Sequence, residues 1–371
     1  MKKNLIKLIF LFSIIFLFSS CNDPIFFTVF KEIPIIKPLI DGSPTNFVRF
    51  KNDMYVASGK KIFIFREKTT RWVEWNRLGD YIGSLAATED SLYVFYLLNN
   101  NGRIRRFNNT GSVDLPITNV QSIYASGKIL FISRRVNNEE YSFSYFDEDN
   151  SSEGVKRIPD TTSEGWLNGV ASDNTYYYLC TNEGIFFMEK SLIASSSDLP
   201  ILGKNFDFTG IINLNNNCVA AITNDGDLFQ IENKIMTRKA RFSDRRNSTG
   251  ALALWYENNG TTPTAPSLLL VGRKEIIYSV STGYSNGYIE ITLDNTGRIS
   301  GSGFKDPGEG SPSSIDSYDR YVSSLGKNPI NHMMQAPYDI DKRMTLFAST
   351  QQNGVWSYKD RGDGELWNAE R

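Results

Sequence analysis

Few side chains in this 371-residue chain have the types and spacing that catalysis or metal binding requires. Hydrolases and metal enzymes usually need a histidine, a metal cluster or a close pair of carboxyl groups, and the only histidine is His332. Asn224-Asp225-Gly226-Asp227 lacks the carboxylate spacing and the closing glutamate of a calcium loop, so a turn is the better interpretation. We therefore expect no catalytic residue, metal or cofactor, and we assign His332 to an ordinary strand or loop.

Basic residues and one tryptophan are the candidates for binding. If the chain consists of repeated four-stranded units, they fall on the face that carries the loops entering each unit and the loops between its second and third strands. Such a surface could meet acidic glycans, peptide carboxylates or an acidic protein. The alternative is a set of scattered, solvated arginines. The residues are Lys60, Arg103, Arg134, Arg135, Trp166, Arg245, Arg246 and Arg273.

A second candidate for recognition is the tripeptide Arg361-Gly362-Asp363, between two predicted strands near the end of the chain. On an exposed protein, this tripeptide would resemble an integrin ligand. The alternative is a polar, glycine-rich turn, a composition in which the tripeptide arises by chance. We keep a host-directed adhesin as one functional alternative.

Residues 1–20 have the layout of a secretory signal, with basic residues first and then an apolar run from Leu8 to Phe18 that is too short to span a bilayer comfortably. The sequence Leu17-Phe18-Ser19-Ser20-Cys21 resembles the lipobox of bacterial lipoproteins, in the relaxed form found in spirochaetes. The resemblance implies a thioether-linked diacylglycerol on Cys21, cleavage before it and acylation of the new amino group. A plain signal peptide followed by an incidental cysteine is the alternative.

Two or three acyl chains would hold the protein firmly on a membrane, since each buried methylene adds about 0.8 kcal/mol. We predict a signal peptide over residues 1–20, a lipidated tether over 21–44 and a propeller domain over 45–371. The expected location is the cell envelope, on the periplasmic or surface side of the inner or outer membrane.

The stretch from Asn46 to Phe65 predicts three short strands joined by two turns. Met54-Tyr55-Val56 and Ile62 to Phe65 are rich in β-branched and aromatic residues, while Lys51-Asn52-Asp53 and Ser58-Gly59-Lys60 have turn composition. A meander of this kind cannot bury both of its faces alone. A chain that repeats it must stack the copies, and stacking around an axis produces a β-propeller.

Two strand types recur along the chain. The first is rich in small residues, which suit the crowded axis of a propeller: 85–88, 123–126, 169–172 and 250–253. The second is apolar and predicts the centre of each blade: Met54–Val56, Leu92–Val94, Ile129–Phe131, Tyr176–Tyr178, Cys218–Ala220, Leu268–Leu270 and Leu346–Ala348.

Glycine turns follow most of the apolar strands, because asparagine and glycine accept the positive φ of tight hairpins. They are Ser58-Gly59, Asn101-Gly102, Asn182-Glu183-Gly184, Asn224-Asp225-Gly226, Asn286-Gly287 and Asn353-Gly354. We predict an all-β propeller of about seven blades, with six or eight as alternatives. The wide gap between Leu269 and Leu346 predicts a late insertion with one short helix around Ile315 to Leu325; an eighth blade is the other interpretation.

The charge balance, 41 acidic against 40 basic residues, does not favour nucleic-acid binding. Cys180 and Cys218 lie in apolar strands, at opposite ends of equivalent strands in neighbouring blades. That separation is too large for disulfide geometry, so we predict two buried free thiols.

The leader and the repeat together resemble spirochaete-type bacterial lipoproteins with a propeller body and no assigned activity. The resemblance implies a binding or assembly scaffold at the cell envelope, attached to the membrane through lipid on Cys21. The expected partner is a protein or glycan of the envelope or host. A glycan hydrolase or lyase working from paired carboxylates in the channel is the enzymatic alternative.

Overall fold

The fold is described from a computed structural model. The described residues all lie within the compact unit Pro38–Arg371. They are 39–66, 71–137, 140–163, 165–193, 199–241, 248–256, 265–273, 278–279, 283–284, 288–305, 329–337, 344–360 and 365–370.

Seven four-stranded antiparallel sheets form the described structure, and each sheet is one blade. Blades 1 to 3 contain β1 (Val48–Phe50), β2 (Asp53–Ser58), β3 (Lys61–Arg66) and β4 (Arg71–Arg77); β5 (Tyr81–Ala87), β6 (Leu92–Leu98), β7 (Asn101–Asn108) and β8 (Gly111–Asp114); and β9 (Val120–Ser126), β10 (Ile129–Arg135), β11 (Tyr141–Asp147) and β12 (Lys156–Ser163). Blades 4 and 5 contain β13 (Leu167–Ser172), β14 (Tyr176–Thr181), β15 (Gly184–Glu189) and β16 (Ile201–Leu202); and β17 (Phe208–Asn215), β18 (Cys218–Thr223), β19 (Asp227–Glu232) and β20 (Ile235–Arg241).

Blade 6 combines β21 (Ser248–Trp255), β22 (Leu268–Arg273), β25 (Tyr288–Leu293) and β26 (Ile299–Lys305), with a hairpin of β23 (Tyr278–Ser279) and β24 (Gly283–Tyr284) between its second and third strands. Blade 7 contains β27 (Ile330–Pro337), β28 (Met344–Thr350), β29 (Val355–Asp360) and β30 (Glu365–Ala369). Two short 3-10 turns, Ser151–Glu153 and Lys190–Leu192, are the only helical elements among the described residues. None of the helices in that part of the chain is long and apolar enough to cross a membrane.

The predicted seven-blade propeller is confirmed. All seven apolar runs lie in the second strands of the blades, and the four small-residue runs lie in first strands. The predicted turn at Asn101-Gly102 is misplaced: Asn99 and Asn100 adopt positive φ and make the turn, and β7 begins at Asn101. The predicted late helix and the Asn286-Gly287 turn lie outside the described residues.

The core lies between the blades. Seven clusters of buried apolar residues each join two neighbouring blades, and the seventh joins blade 7 to blade 1 through Phe347 and Phe65. Because each blade packs on both faces, its second strand reads as a continuous apolar run; all of β18 is buried. Two unlike halves, or an open sheet, would not produce this closed series of interfaces.

The first strands pack so closely that some positions exclude any side chain. A Cβ on Gly210 would lie 2.1 Å from the Gly250 carbonyl oxygen, and a Cβ on Gly102 would lie 1.8 Å from the Val120 carbonyl oxygen. Real Cβ atoms do not approach oxygen so closely. This is the physical reason for small residues in the first strands and at the seams between blades.

Residues 39–47 close the ring. Leu39 N donates to Glu370 O at 2.8 Å, Gly354 N donates to Gly42 O at 2.9 Å, and Phe47 N donates to His332 Nδ1 at 3.2 Å. The ordered body therefore begins before Thr45, the start expected from the sequence. The predicted signal peptide, Cys21 and the tether as far as residue 38 lie outside the described residues.

Candidate functional site: the entry face

The antiparallel order of each blade defines two faces. The first strands begin, and the turns between second and third strands lie, on what we call the entry face; the first strands end on the exit face. Lys60, Arg134, Arg135 and Trp166 lie at strand ends or turns on the entry face, and Arg103 lies near the start of β7 on the same side. The structure thus places five of the predicted binding residues on one face.

Of the other predicted recognition residues, Arg273 alone can be placed, and it lies on the same face. Arg245, Arg246 and the tripeptide Arg361-Gly362-Asp363 lie outside the described residues. Arg273 ends strand β22, on the entry side of blade 6. The strands that flank the tripeptide, β29 and β30, end and begin on the exit side.

Large exposed apolar side chains concentrate on the entry face, a feature that the sequence analysis missed. Trp166 is 48% exposed, and its ring lies edge-on to Tyr141 with centroids 6.2 Å apart. Burial alternates along a strand, but at a loop it depends on contacts with neighbouring blades. No sequence pattern therefore predicted this group of exposed apolar residues. The exposed apolar residues on this face are Leu39, Tyr81, Leu98, Val136, Trp166 and Phe206.

A cavity of about 500 Å³ opens on the entry face at blade 1. One wall is the closing segment, Leu39 to Ser43, and the other is the turn that carries Lys60 together with Arg77 and Tyr81. The Lys60 ammonium donates to the Gly79 carbonyl oxygen, so its positive charge has no carboxylate partner in this bond. The cavity therefore combines the cations Lys60, Lys61 and Arg77 with the Asp41 carboxyl group, an exposed phenol and main-chain groups.

Glu74 neutralises part of the charge beside this cavity. Arg77 donates to both oxygens of Glu74, at 2.9 and 3.2 Å, and Lys61 Nζ lies 3.2 Å from Glu74 Oε2. The Arg77 guanidinium, helped by Lys61, holds the pKa of the Glu74 carboxyl below its ordinary value. Lys60 is left as the cation of the cavity whose charge is available to a ligand.

The two arginines that end β10 in blade 3 point to separate seams. Arg134 Nε donates to Thr118 O at 3.2 Å, and Arg135 Nε donates to Asn137 O at 3.0 Å. Arg135 lies opposite Tyr141 in the β10–β11 register, and Tyr141 contacts Trp166. Arg135, Tyr141 and Trp166 consequently form one mixed basic and aromatic group at the seam of blades 3 and 4.

The central channel offers little that could catalyse hydrolysis. The seven first strands, β1, β5, β9, β13, β17, β21 and β27, contain no aspartate or glutamate. The carboxylate pair that the glycan hydrolase hypothesis requires is therefore not supplied by the strands that line the axis. No group of three or more potential metal ligands occurs in the described part of the chain.

His332 is a structural residue of strand β27. Its Nδ1 accepts the amide hydrogen of Phe47, and the two rings lie 5.9 Å apart between blades 7 and 1. Removal of the imidazole from water lowers its pKa to about 4. The ring is thus neutral near pH 7 and acts as an acceptor within the closing seam.

The two body cysteines are buried and free, as predicted. Burial raises the pKa of the Cys218 thiol to about 11 and raises the pKa of Cys180 further. Neither thiol is poised for nucleophilic chemistry. The Asn224 to Asp227 segment is the predicted turn: Gly226 has φ 85° and its amide donates to Thr223 O at 3.1 Å.

One further catalytic pattern is present in the chain. Gly283 to Gly287 has the spacing Gly-x-Ser-x-Gly that marks the nucleophile elbow of some hydrolases. That motif needs a strand-to-helix turn, whereas Gly283–Tyr284 forms strand β24 of a short hairpin. Ser285 lies outside the described residues, and the flanking architecture does not support an elbow.

No family model matches the chain, and no curated protein does. Many solved structures share its fold. Virginiamycin B lyase from Staphylococcus aureus is similar over 86% of this chain and 96% of its own, with a TM-score of 0.53 and 11% identity. YCF48 from Cyanidioschyzon merolae is similar over 86% and 96%, with a TM-score of 0.54 and 9% identity. A chain of the mitotic checkpoint complex covers 92% and 95%, with a TM-score of 0.55 and 9% identity. Identities this low show the shared propeller fold alone.

Proposed function

We propose that this protein is a binding or assembly scaffold of the bacterial cell envelope, held on a membrane by lipid on Cys21, that captures a protein partner on its entry face. The observation that carries the proposal is the concentration of exposed apolar side chains, Trp166 among them, beside basic residues on one face of a closed ring. Aromatic residues and arginine are enriched at the centres of protein interfaces.

The charge arrangement favours an acidic partner. Lys60 and Arg134 donate to carbonyl oxygens, so these bonds orient the side chains without neutralising them. Uncompensated charge steers an oppositely charged protein toward the surface and accelerates association. Other propellers give support by analogy: a YCF48 structure contains a bound D1 peptide, and another neighbour belongs to the mitotic checkpoint complex.

Site-specific photocrosslinking of the full chain in its native membrane tests the proposal. A photoreactive phenylalanine derivative replaces Trp166 on the entry face or, as the matched control, Leu192 on the exit face. The two side chains are equally exposed, at 48%. We expect a discrete crosslinked protein from position 166 and none from position 192. The same products from both positions, or no product from position 166, would contradict the proposal.

The anchor is tested separately. Cys21→Ser removes the acceptor thiol, and we expect it to abolish incorporation of an alkyne-labelled fatty acid and to move the protein out of the membrane fraction. Cys218→Ser is the control, because that thiol is buried in β18. Labelling that persists in Cys21→Ser would refute lipidation at this residue without affecting the entry face.

A further inference from the structure

A second cavity lies in the central channel, away from the blade 1 cavity. It has a volume of about 230 Å³ and is lined by first-strand residues of blades 1, 2, 3 and 7. That volume equals roughly seven waters of liquid density, which suits a small organic molecule. The lining residues that matter here are Arg49, Leu85, Ala86, Tyr124, Ala125 and Met334.

Arg49 is the only charged side chain on the seven first strands, since His332 is neutral and the strands contain no lysine, aspartate or glutamate. It is exposed, whereas its neighbours Val48 and Phe50 are buried. Within the described part of the chain, its guanidinium has no ion pair and no hydrogen bond. A single cation on strands without other charged side chains favours the binding of an anion, because no carboxylate of these strands competes for the cation.

The surroundings of Arg49 define the rest of a ligand. Ala125 and Met334 are partly exposed and present apolar surface to the cavity, and Tyr124 adds an aromatic ring. Each first strand is hydrogen-bonded along one edge within its sheet, so the other edge lies toward the channel with main-chain groups that a polar ligand can meet. A guanidinium fork matches the two oxygens of a carboxylate.

We propose that the channel binds a small carboxylate, with its anionic group on Arg49 and its apolar body among Tyr124, Ala125 and Met334. The ligand is an organic acid of modest size. This site is independent of the entry face: either can fail without the other.

Titration calorimetry of the full chain in detergent micelles tests the site, with acetate, hexanoate and benzoate as probes and benzamide as the uncharged match for benzoate. We expect hexanoate or benzoate to bind more tightly than acetate, and benzamide not to bind. Arg49→Gln should weaken binding about tenfold or more, the loss expected for a charge-assisted contact. Arg49→Lys keeps the charge without the fork and should show an intermediate loss.

Two further variants separate the channel from general charge effects. Ala125→Leu fills the cavity while Arg49 is retained, and we expect it to abolish binding. Lys51→Gln removes a cation two residues away, outside the cavity, and should leave binding unchanged. No binding by any of the three acids, equal binding in Arg49→Gln, or equally effective displacement by inorganic sulfate would each overturn the proposal. Unchanged thermal unfolding of the variants shows that they fold.

Discussion

The two faces of the propeller use charge differently. On the exit face, carboxylates cap their own turns: Asp173 accepts amide hydrogens from Thr175 and Tyr176 and the hydroxyl of Tyr178. Asp294 likewise accepts amide hydrogens from Thr296 and Arg298. On the entry face, Lys60 and Arg134 donate to carbonyl oxygens and lie on the same face as the exposed apolar side chains. The difference indicates that the exit face is built for local order and the entry face for recognition.

Seam packing at the entry end provides the largest expected effect. Gly102→Ala places a methyl group against the Val120 carbonyl oxygen and should destabilise the protein by about 3 kcal/mol or more, as overpacking does in tight sites. Gly127→Ala, in the exit-side turn after β9, meets no atom within 4 Å and should cost only about 1 kcal/mol, from its positive φ. Denaturant unfolding measures both; equal losses would mean that the seam tolerates the methyl group.

Trp166 is the expected energetic centre of the entry face. Trp166→Ala should weaken binding of the crosslinked partner by about 2 kcal/mol, or roughly 30-fold, as truncation of an aromatic interface centre does. Leu192→Ala removes an equally exposed apolar side chain from the exit face and should leave affinity unchanged. Surface plasmon resonance with the captured partner distinguishes the two, and similar losses for both would remove the distinction between the faces.

The closing seam should respond to pH through His332. Its pKa falls from 6.5 to about 4 on folding, so the unfolded chain binds more protons between these values. Stability should therefore be complete above about pH 6.5 and decline as the pH falls toward 4, by about 2 kcal/mol at pH 5. In His332→Asn, whose side-chain oxygen can accept the Phe47 amide hydrogen, the decline between pH 7 and 5 should be smaller. An identical decline would assign the pH dependence to other groups.

Lys60 should contribute to association more than to stability. Lys60→Gln should reduce partner affinity by about 0.5 kcal/mol, roughly twofold, and should flatten its dependence on salt, because an exposed cation acts mainly through steering. Lys51→Gln, on an exit-side turn, is the matched control and should change neither quantity. A salt dependence that is the same in both variants would place the steering charge elsewhere.

The smallest expected difference concerns the two buried thiols, which report on opposite ends of the ring. Cys180 lies near the entry end of β14 and Cys218 at the exit end of β18. Because the blades pack in one closed series, we expect both thiols to resist alkylation in the folded state and to become reactive at the same denaturant concentration. Earlier exposure of Cys180 would show that the entry face opens independently.

Much of the fold was predictable because local patterns of apolar and turn-forming residues specify it. Strands such as Met54–Val56 and Cys218–Ala220 read as apolar runs since both faces of the second strand are buried. The turn after β6 was misplaced by two residues because Asn99 and Asn100 supply the positive φ that Gly102 was expected to supply. Gly102 does not form this turn; it lies in close contact with the Val120 carbonyl group, where a side chain would not fit.

The candidate site was predictable only in part. Basic residues next to turns could be assigned to one face by counting strands, which placed Lys60, Arg134 and Arg135 correctly. The exposed aromatic rings and the channel cavity could not be found in this way. Exposure of a ring at a loop depends on which distant segments pack beside it, and the cavity is formed where residues of four blades come together. In the sequence, Arg49 cannot be distinguished from other polar residues of alternating strands. Only the closed ring of blades shows that it lies at the channel cavity.

The sequence by itself determined the repeating meander and the central strand of each blade, because these follow from side-chain types at short range. Only the tertiary structure decided that the ring closes through Phe47 and His332, that exposed apolar groups gather on the entry face, and that Arg49 stands alone in the channel. These properties arise from packing between blades, which no local pattern encodes.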